Sequence, residues 1–241
     1  MTSHPEAAPI LEVSGLDSFY GELQVLRGAA LNVRQGEVVA LFGPNGHGKS
    51  TLLKAIAGIH PPQAGEIRFK GQPITRLPSD RIVALGLAYI PEARNLFREM
   101  TVMENLRLGA YNRRARSQAA RNLDLVFALF PRLAERRDQM AATLSGGESR
   151  MLAVGRGLMS SASLLLIDEP SIGLSPLMKK TVFSAIHRIK TQTDISIMVV
   201  EQEVDYPLAL ADRIYLLKKG QVGMAREAGA VDKADIEQAY F

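Results

Sequence analysis

The sequence predicts an α/β fold in which a mostly parallel sheet is covered by helices on both faces. Two fully apolar runs, Val38–Phe42 and residues 164–167, have the length and composition of strands that are buried on both faces. Each run is followed by a loop and then by a segment with helical periodicity. Because alternating strands and helices form parallel sheets with the helices packed outside, this order of elements indicates the fold class.

Length and composition indicate a globular protein with one large domain. The 241 residues are 46% hydrophobic and 22% charged, which excludes a disordered or fibrous chain. No apolar run approaches the roughly 20 residues that span a bilayer, and residues 1–9 lack the pattern of a secretory signal. We therefore expect a flexible N-terminus over residues 1–9, a single domain over residues 10–241 and a cytoplasmic location.

The absence of cysteine and the net charge leave several classes of function open. Without cysteine the chain has neither disulfides nor thiolate metal sites. The formal net charge of +4 is compatible with nucleic acid, with an anionic membrane surface or with no charged partner. Charge alone therefore does not choose among these partners.

The first third of the chain is predicted to hold short strands separated by turns. Strand-like composition recurs at residues 10–13, 31–33 and 66–69. The buried run Val38–Phe42 is followed by a glycine-rich loop and by a helical segment over residues 49–57. Gly58 is placed to end that helix, because glycine readily adopts the left-handed conformation found there.

A helical block is predicted over residues 101–144. Its apolar side chains recur at helical spacing, namely Leu123, Val126, Phe127 and Phe130. Pro131 then breaks the run, since proline cannot continue a helix without losing a hydrogen bond. Because the block lacks strand signals, we expect an inserted helical subdomain at about residues 95–160.

The last third returns to alternating strands and helices. Strands are predicted at residues 164–167, 195–200 and 214–217. Ser175 and Pro176 match an N-cap followed by proline in the first turn, so a helix is expected to begin there. That helix would place Val182, Phe183, Ile186 and Ile189 on one stripe.

The glycine-rich loop after Val38–Phe42 matches a phosphate-binding pattern. In this pattern two glycines separated by four residues precede Lys49 and Ser50. Glycines let backbone N–H groups converge on phosphate oxygens, Lys49 supplies positive charge and the Ser50 hydroxyl can bind Mg²⁺. A glycine-rich turn that matches by chance is the alternative. The candidate nucleotide-binding residues here are Gly43, Pro44, Asn45, Gly46, His47, Gly48, Lys49, Ser50 and Thr51.

Two carboxylates follow the apolar run at residues 164–167. Side chains at the carboxyl end of a parallel strand reach the crevice where nucleotides bind. Asp168 is therefore a candidate Mg²⁺ ligand, and Glu169 a candidate for orienting or deprotonating the attacking water. Taken alone, the pair is explained equally well by a strand that ends in a polar turn. The phosphate loop upstream favours the catalytic explanation.

A Leu-Ser-Gly-Gly-Glu segment lies between the phosphate loop and the acidic pair. It comprises Leu144, Ser145, Gly146, Gly147 and Glu148. Ser145 and Glu148 have the spacing of a capping box, which explains the segment structurally, yet a helix start with two glycines is also an anion site. With this segment the chain resembles the ATPases of ABC transporters, which share the Leu-Ser-Gly-Gly signature and the order of the three motifs.

The resemblance covers residues 10–241 and implies the fold and the assembly. The implied fold is a P-loop NTPase with a RecA-like, mostly parallel sheet, an antiparallel β subdomain and the inserted helical subdomain. The implied cofactors are ATP and Mg²⁺, bound in a head-to-tail dimer in which the signature of one subunit faces the γ-phosphate held by the other. The resemblance also implies that Tyr20 stacks on adenine, for which an ordinary tyrosine at a strand edge is the alternative.

Departures from the commonest family pattern indicate a subfamily. Glu92 stands in place of a usual glutamine and is a candidate metal contact. Gln202 stands in place of the usual catalytic histidine, and it can hydrogen-bond a phosphate without carrying a proton. With Glu148 in place of glutamine, the chain resembles the ATPases of branched-chain amino acid importers and of amide and urea importers. Further departures are His47, Ser149, Arg150, Ser175 and Glu203.

The resemblance implies the ATP-hydrolysing motor of an importer on the inner face of the cell membrane. Its implied partners are integral-membrane permease subunits, a second ABC ATPase that is identical or related, and indirectly an external solute-binding protein. A soluble ABC ATPase acting on nucleic acid or ribosomes stays open, as does a regulatory subunit that binds nucleotide without hydrolysis. We expect no nucleic acid, because the sequence lacks the second ATPase half or the long coiled-coil insertion usual in that class.

Overall fold

The computed structural model describes residues 9–223 and 225–240, arranged as two sheets with helices between and around them. The strands are β1 (Pro9–Tyr20), β2 (Leu23–Arg34), β3 (Val38–Phe42), β4 (Ala64–Phe69), β5 (Gln72–Pro73), β6 (Leu87–Ile90), β7 (Leu164–Asp168), β8 (Ser196–Glu201), β9 (Arg213–Lys218), β10 (Gln221–Val222) and β11 (Arg226–Glu227). The helices are α1 (Lys49–Ile56), α2 (Ser79–Leu85), α3 (Val102–Gly109), α4 (Arg113–Ser117), α5 (Ala119–Leu129), α6 (Pro131–Glu135), α7 (Gly146–Met159), α8 (Pro176–Gln192), α9 (Asp205–Leu210) and α10 (Lys233–Tyr240). Of the predicted flexible N-terminus, residues 1–8 lie outside the described residues, and Pro9 begins β1.

The larger sheet has the strand order β10-β9-β3-β8-β7-β6, with β11 added beside β9. Strands β9, β3, β8, β7 and β6 run parallel, whereas β10 and β11 pair antiparallel with β9. Every residue of β3 and β7 is buried, as expected for strands covered on both faces. The prediction of a mostly parallel α/β sheet is confirmed, and the loops after β3, β7 and β8 meet at one edge.

The smaller sheet is antiparallel, with the order β2-β1-β4-β5. Its first two strands have 12 residues each and are much longer than the segments predicted at residues 10–13 and 31–33. The register of this pair shifts at several points, between Val13 and Leu16 among others. Such bulges interrupt the alternation of buried and exposed residues, which explains why sequence periodicity showed only part of each strand.

The helical block lies between β6 and β7 in the chain, and α7 joins it to the sheet. Helix α5 ends at Leu129 and α6 begins at Pro131, so the helix breaks where proline predicted. A Cβ atom on Gly109 would lie 2.2 Å from the Arg156 carbonyl oxygen, so α3 and α7 approach more closely than a larger residue allows. Helix α7 also packs against β6, which links the helical block to the site-bearing edge of the sheet.

Candidate functional site

The loop between β3 and α1 is held in a conformation that requires glycine. Gly46 and Gly48 have φ values of 79° and 105°, in the left-handed region. A Cβ atom on Gly43 would lie 2.4 Å from the Leu217 carbonyl oxygen in β9. The loop therefore turns tightly over the end of the sheet and leads directly into α1, whose first residue is Lys49. This strand–loop–helix geometry is the one that presents backbone N–H groups to phosphate.

The Lys49 ammonium lies at the centre of this loop and is only 4% exposed. Its Nζ donates to the carbonyl oxygens of Gly43 at 2.8 Å and of Pro44 at 3.3 Å, and to Oδ1 of Asn45 at 3.3 Å. It also forms an ion pair with Glu169, at 3.1 Å from Oε1. The loop after β3 thus wraps the Lys49 ammonium. Through this ammonium the loop is joined to the acidic pair after β7.

Asp168 is buried at the end of β7 and receives two hydroxyl hydrogen bonds. Ser50 Oγ donates to its Oδ1 at 3.1 Å, and the Tyr89 hydroxyl donates to its Oδ2 at 2.9 Å. Burial raises the pKa of Asp168, and the two hydrogen bonds oppose that effect. Burial, with the Asp168 charge, likewise raises the pKa of Tyr89, so Tyr89 stays a neutral donor.

These oxygen donors fit a magnesium ion. Mg²⁺ in nucleotide sites is bound through one or two carboxylates and a hydroxyl, with the phosphates completing its shell. Ser50, Asp168 and Glu92 line one cleft, so the structure brings the three predicted metal residues together. Among the described residues no group of three or more His, Cys, Asp and Glu side chains is placed to hold a metal ion, so the phosphates would have to supply part of the shell. The residues therefore fit Mg²⁺ bound together with nucleotide phosphates.

Glu169 occupies a strained turn directly after β7. Its φ of 42° is left-handed, an uncommon conformation for a residue other than glycine. Its N–H donates to the Val200 carbonyl oxygen at 2.9 Å in the neighbouring strand. Its carboxylate is paired with Lys49, and both side chains line a cleft of about 370 Å³. The predicted residues that line this cleft are Asn45, Gly46, Gly48, Lys49, Ser50, Thr51, Glu92 and Glu169.

Gln202 and His47 lie on a different cleft. Together with Pro44 they line a space of about 840 Å³, and neither lines the 370 Å³ cleft. Gln202 follows β8, so it stands at the same edge of the sheet as Glu169. His47 Nδ1 accepts from the Lys219 N–H at 3.4 Å, which occupies this ring nitrogen within the fold.

Tyr20 lies at the end of β1 and is 46% exposed. Its ring stacks on the His60 ring, with centroids 4.3 Å apart and an angle of 9° between the planes. His60 Nε2 lies 3.0 Å from the Phe19 carbonyl oxygen, which holds the imidazole in place. Sequence reasoning did not identify His60 as this support, because it is 40 residues away in the chain. His60 therefore holds the Tyr20 ring in place from one face, which suits a ring that stacks on a base.

The Leu-Ser-Gly-Gly-Glu segment forms the start of α7. The capping box is present, with Ser145 Oγ accepting from the Glu148 N–H at 3.3 Å and Glu148 Oε2 accepting from the Ser145 N–H at 2.9 Å. A Cβ atom on Gly147 would lie 1.8 Å from the Met178 methyl carbon. The five residues of the segment, all of them described, do not line the 370 Å³ cleft. Within one chain the segment therefore lies outside the cleft beside the phosphate loop.

Glu201 is a buried carboxylate that sequence reasoning did not identify. It ends β8, is 2% exposed, and accepts from the Ser171 N–H at 2.8 Å and the Gln202 N–H at 3.3 Å. Burial raises its pKa from 4.5 to about 7, although these hydrogen bonds oppose the shift. The available signal was a charged residue at the end of an apolar strand.

We expect Glu201→Gln to reduce the pH dependence of stability. Because the folded-state pKa of Glu201 is raised, the folded chain binds more protons than the unfolded chain between pH 4.5 and about 7. Its contribution to the free energy of unfolding is therefore full below that window and is lost as the pH rises through it. Urea unfolding at pH 4.5 and pH 8 should show a smaller loss in Glu201→Gln than in the wild type. The exposed Glu203→Gln is the control, and an equal loss in all three proteins would contradict this expectation.

Comparison with known proteins places this geometry in one family. The ABC transporter family model matches residues 26–172, a span that includes the phosphate loop, the Leu-Ser-Gly-Gly-Glu segment and the acidic pair. The chain is 40% identical over 233 residues to the high-affinity branched-chain amino acid transport ATP-binding protein BraG of Pseudomonas aeruginosa, covering 96% of this chain and 99% of BraG.

Two further matches agree with the first. The chain is 36% identical to a probable branched-chain amino acid transport ATP-binding protein LivF of Archaeoglobus fulgidus, covering 88% of this chain and 90% of LivF. It superposes on the ADP conformation of MJ1267, an ATP-binding cassette of an ABC transporter, with a TM-score of 0.81 at 25% identity over 96% of this chain and 94% of MJ1267. The chain therefore belongs to the ABC transporter family, as one of its ATP-hydrolysing cassette subunits.

Proposed function

We propose that the chain is the motor of an importer for branched-chain amino acids or related small polar solutes, working at the inner face of the cell membrane. The observation that supports this most is the identity to BraG along almost the whole length of both chains. No helix among residues 9–223 and 225–240 is long and apolar enough to cross a bilayer. Integral-membrane permease subunits would form the pathway for the solute, and an external solute-binding protein would deliver the solute to them.

The contacts of Lys49 suggest how ATP binding prepares hydrolysis. Lys49 and the backbone N–H groups of the phosphate loop would bind the terminal phosphates, while Tyr20 would stack on the adenine. Phosphate oxygens would then replace Glu169 as the partner of Lys49, because both anions need the same ammonium. Binding of the substrate thus frees the Glu169 carboxylate to hold the attacking water in line and to accept its proton.

The remaining site residues would support this reaction. Ser50 and Asp168 would hold Mg²⁺, with Glu92 beside them, and the bound ion would offset the negative charge of the phosphates. Gln202 lines the neighbouring cleft of about 840 Å³, and it would hydrogen-bond the nucleotide where that cleft reaches Pro44 of the phosphate loop, without acting as an acid or base. The Leu-Ser-Gly-Gly-Glu segment would bind the γ-phosphate of a second cassette, since it does not line the cleft of its own chain. The working unit would then be a head-to-tail dimer with an identical or related ATPase.

An exposed groove beside the site is suited to the permease. It has a volume of about 500 Å³ and lies between the segment that follows β6, α3 and α7. Phe97, Leu108 and Tyr111 line it and are exposed, so they present apolar surface to a partner. Tyr89 also lines the groove while its hydroxyl bonds Asp168. A permease segment seated here would therefore contact the residues next to the magnesium site.

Uptake in the organism that encodes the chain tests the proposed function. Deletion of the gene should abolish uptake of labelled leucine, isoleucine and valine, and the wild-type gene should restore it. Loss of urea or amide uptake instead would show that the substrate class is wrong while the motor function stands. Normal uptake of every one of these solutes in the deletion strain would contradict the importer assignment.

The deletion strain also tests whether the permease docks in the groove. Tyr111→Asp should fail to restore uptake, because a charge in the groove opposes docking of an apolar segment. The purified variant should still bind ATP with wild-type affinity. Met140→Asp, an exposed apolar residue that does not line the groove, is the control and should restore uptake. Full uptake with Tyr111→Asp would show that the permease docks elsewhere.

A further inference from the structure

Arg150 is a buried arginine in α7 whose guanidinium binds two loops of the site. Its side chain is 0% exposed, which is rare for arginine. Nη1 donates to the Pro91 carbonyl oxygen at 3.1 Å. Nη2 donates to the carbonyl oxygens of Glu92 at 3.0 Å and of Glu169 at 3.2 Å. One side chain thus touches the main chain of the candidate metal residue and of the candidate catalytic carboxylate.

The two loops follow neighbouring strands, β6 and β7, and each contains residues with left-handed backbone at or near the contact. Glu169 has its left-handed φ of 42°, and the loop after β6 has positive φ values at Arg94 and Asn95. The planar guanidinium presents five donors in a fixed arrangement, which suits several carbonyl oxygens at once. A glutamine amide, by comparison, is shorter and carries only two donors. The three-way contact is therefore specific to an arginine here.

Burial of the Arg150 charge carries a desolvation cost, which attraction to the carboxylates of Glu201, Glu92 and Asp168 offsets only in part. The guanidinium has no ion pair within hydrogen-bonding distance among the described residues, and its buried Nε has no hydrogen-bond partner there. Burial lowers the pKa of Arg150 to about 10, so the group is still charged at neutral pH. Burying such a charge is expensive, and an apolar side chain of similar volume often stabilises a fold as well. The arginine is thus better explained by what it positions than by stability.

We propose that Arg150 is a positioning residue that fixes the Glu169 peptide and the Glu92 loop relative to α7. The Glu169 carbonyl accepts from Arg150 and, at 3.3 Å, from the Ile172 N–H, while its own N–H is held by β8. Removing the guanidinium leaves the strained turn with fewer contacts, so its carboxylate spends less time aligned with the water. The inference rests on the proposed role of Glu169 in hydrolysis. It makes the α7 helix, which begins with the Leu-Ser-Gly-Gly-Glu segment, a direct support of the catalytic carboxylate.

A double-mutant cycle with Glu169 tests the inference. Arg150→Lys keeps the charge, but a single ammonium cannot reach all three carbonyl oxygens in the guanidinium geometry. We expect it to lower the single-turnover rate constant of ATP hydrolysis about tenfold, with the Kd for ATP changed by less than about threefold. In a Glu169→Gln background the same substitution should lower the residual hydrolysis by less than about twofold. Single-turnover hydrolysis of γ-labelled ATP by the purified chain gives all four rates.

Arg156→Lys is the comparison variant. Arg156 lies six residues further along α7 and binds the carbonyl oxygens of Asn95 and Arg94 in the same loop, without reaching Glu169. Whatever Arg156→Lys does to the rate, it should do equally in both backgrounds, because it does not act through the carboxylate. If Arg150→Lys is too unstable to purify, Arg150→Gln, which keeps two donors, takes its place in the cycle.

The outcomes separate this inference from the function on which it rests. A tenfold loss that disappears in the Glu169→Gln background supports the positioning role. An equal loss in both backgrounds, with Glu169→Gln itself slow, overturns the inference and leaves the role of Glu169 intact. Undiminished hydrolysis in Glu169→Gln overturns both.

Discussion

Lys49→Ala is expected to weaken Mg-ATP binding by on the order of a hundredfold. The ammonium is the cation around which residues 43–48 wrap, and charge-assisted hydrogen bonds to phosphate contribute about 1.5–3 kcal/mol each. Its removal also leaves the Glu169 carboxylate without its partner, beside the phosphates that it would repel. Isothermal titration calorimetry with Mg-ATP measures the change directly.

Two controls distinguish lost contacts from lost folding. Lys180→Ala removes an exposed lysine from α8 and should leave the Kd for ATP within about twofold. Circular dichroism of Lys49→Ala should match the wild type, because the Lys49 side chain contacts residues 43–45 of the loop and Glu169 and does not hold β3 in place. An unchanged Kd in a folded Lys49→Ala protein would show that residues 43–51 do not bind the nucleotide.

The parallel sheet and the phosphate loop could be predicted because their signals are local. A strand buried on both faces is apolar at every position, so Val38–Phe42 stands out without knowledge of its neighbours. The loop at residues 43–48 depends on glycines at fixed spacing, which the sequence shows directly. Asp168 and Glu169 follow from the rule that ligands meet the carboxyl ends of parallel strands. The cleft that brings them to Lys49 is thus a consequence of three local patterns.

The contacts that complete the site depend on residues far apart in the chain. An arginine shortly after a capping box in a helix would normally be assigned to the solvent-exposed face. Arg150 is buried because the loops after β6 and β7 close over it, and Pro91 is 59 residues away. Glu201 is buried by the turn at Ser171, 30 residues earlier. The charge of Glu201 at the end of an apolar strand was a local signal, but the contacts that bury Glu201 and Arg150 come from residues 30 and 59 positions away, and local patterns do not show them.

Glu169→Gln is expected to slow hydrolysis by ~10²–10⁴-fold while ATP binding survives or tightens. A positioned acid or base usually contributes a factor of this size, and an amide of nearly the same shape cannot accept the proton of the attacking water. The substitution also removes the ion pair with Lys49, whose Nζ lies 3.1 Å from Oε1. Because ATP no longer has to displace a carboxylate from Lys49, the affinity for ATP should not fall.

The slow variant should also reveal the proposed dimer. An uncleaved γ-phosphate would remain bound by Lys49 of one subunit and by the Ser145 helix start of the other, and this contact would keep the two chains together. Size-exclusion chromatography of Glu169→Gln should then show a dimer with ATP and a monomer with ADP. Glu203→Gln removes the same charge from an exposed carboxylate paired with Lys179, and it should retain turnover and stay monomeric. If the variant alone stays monomeric with ATP bound, the same measurement with a co-expressed related ATPase tests a mixed pair. ATP-loaded chains that remain monomeric in both settings would show that the γ-phosphate is not shared between subunits.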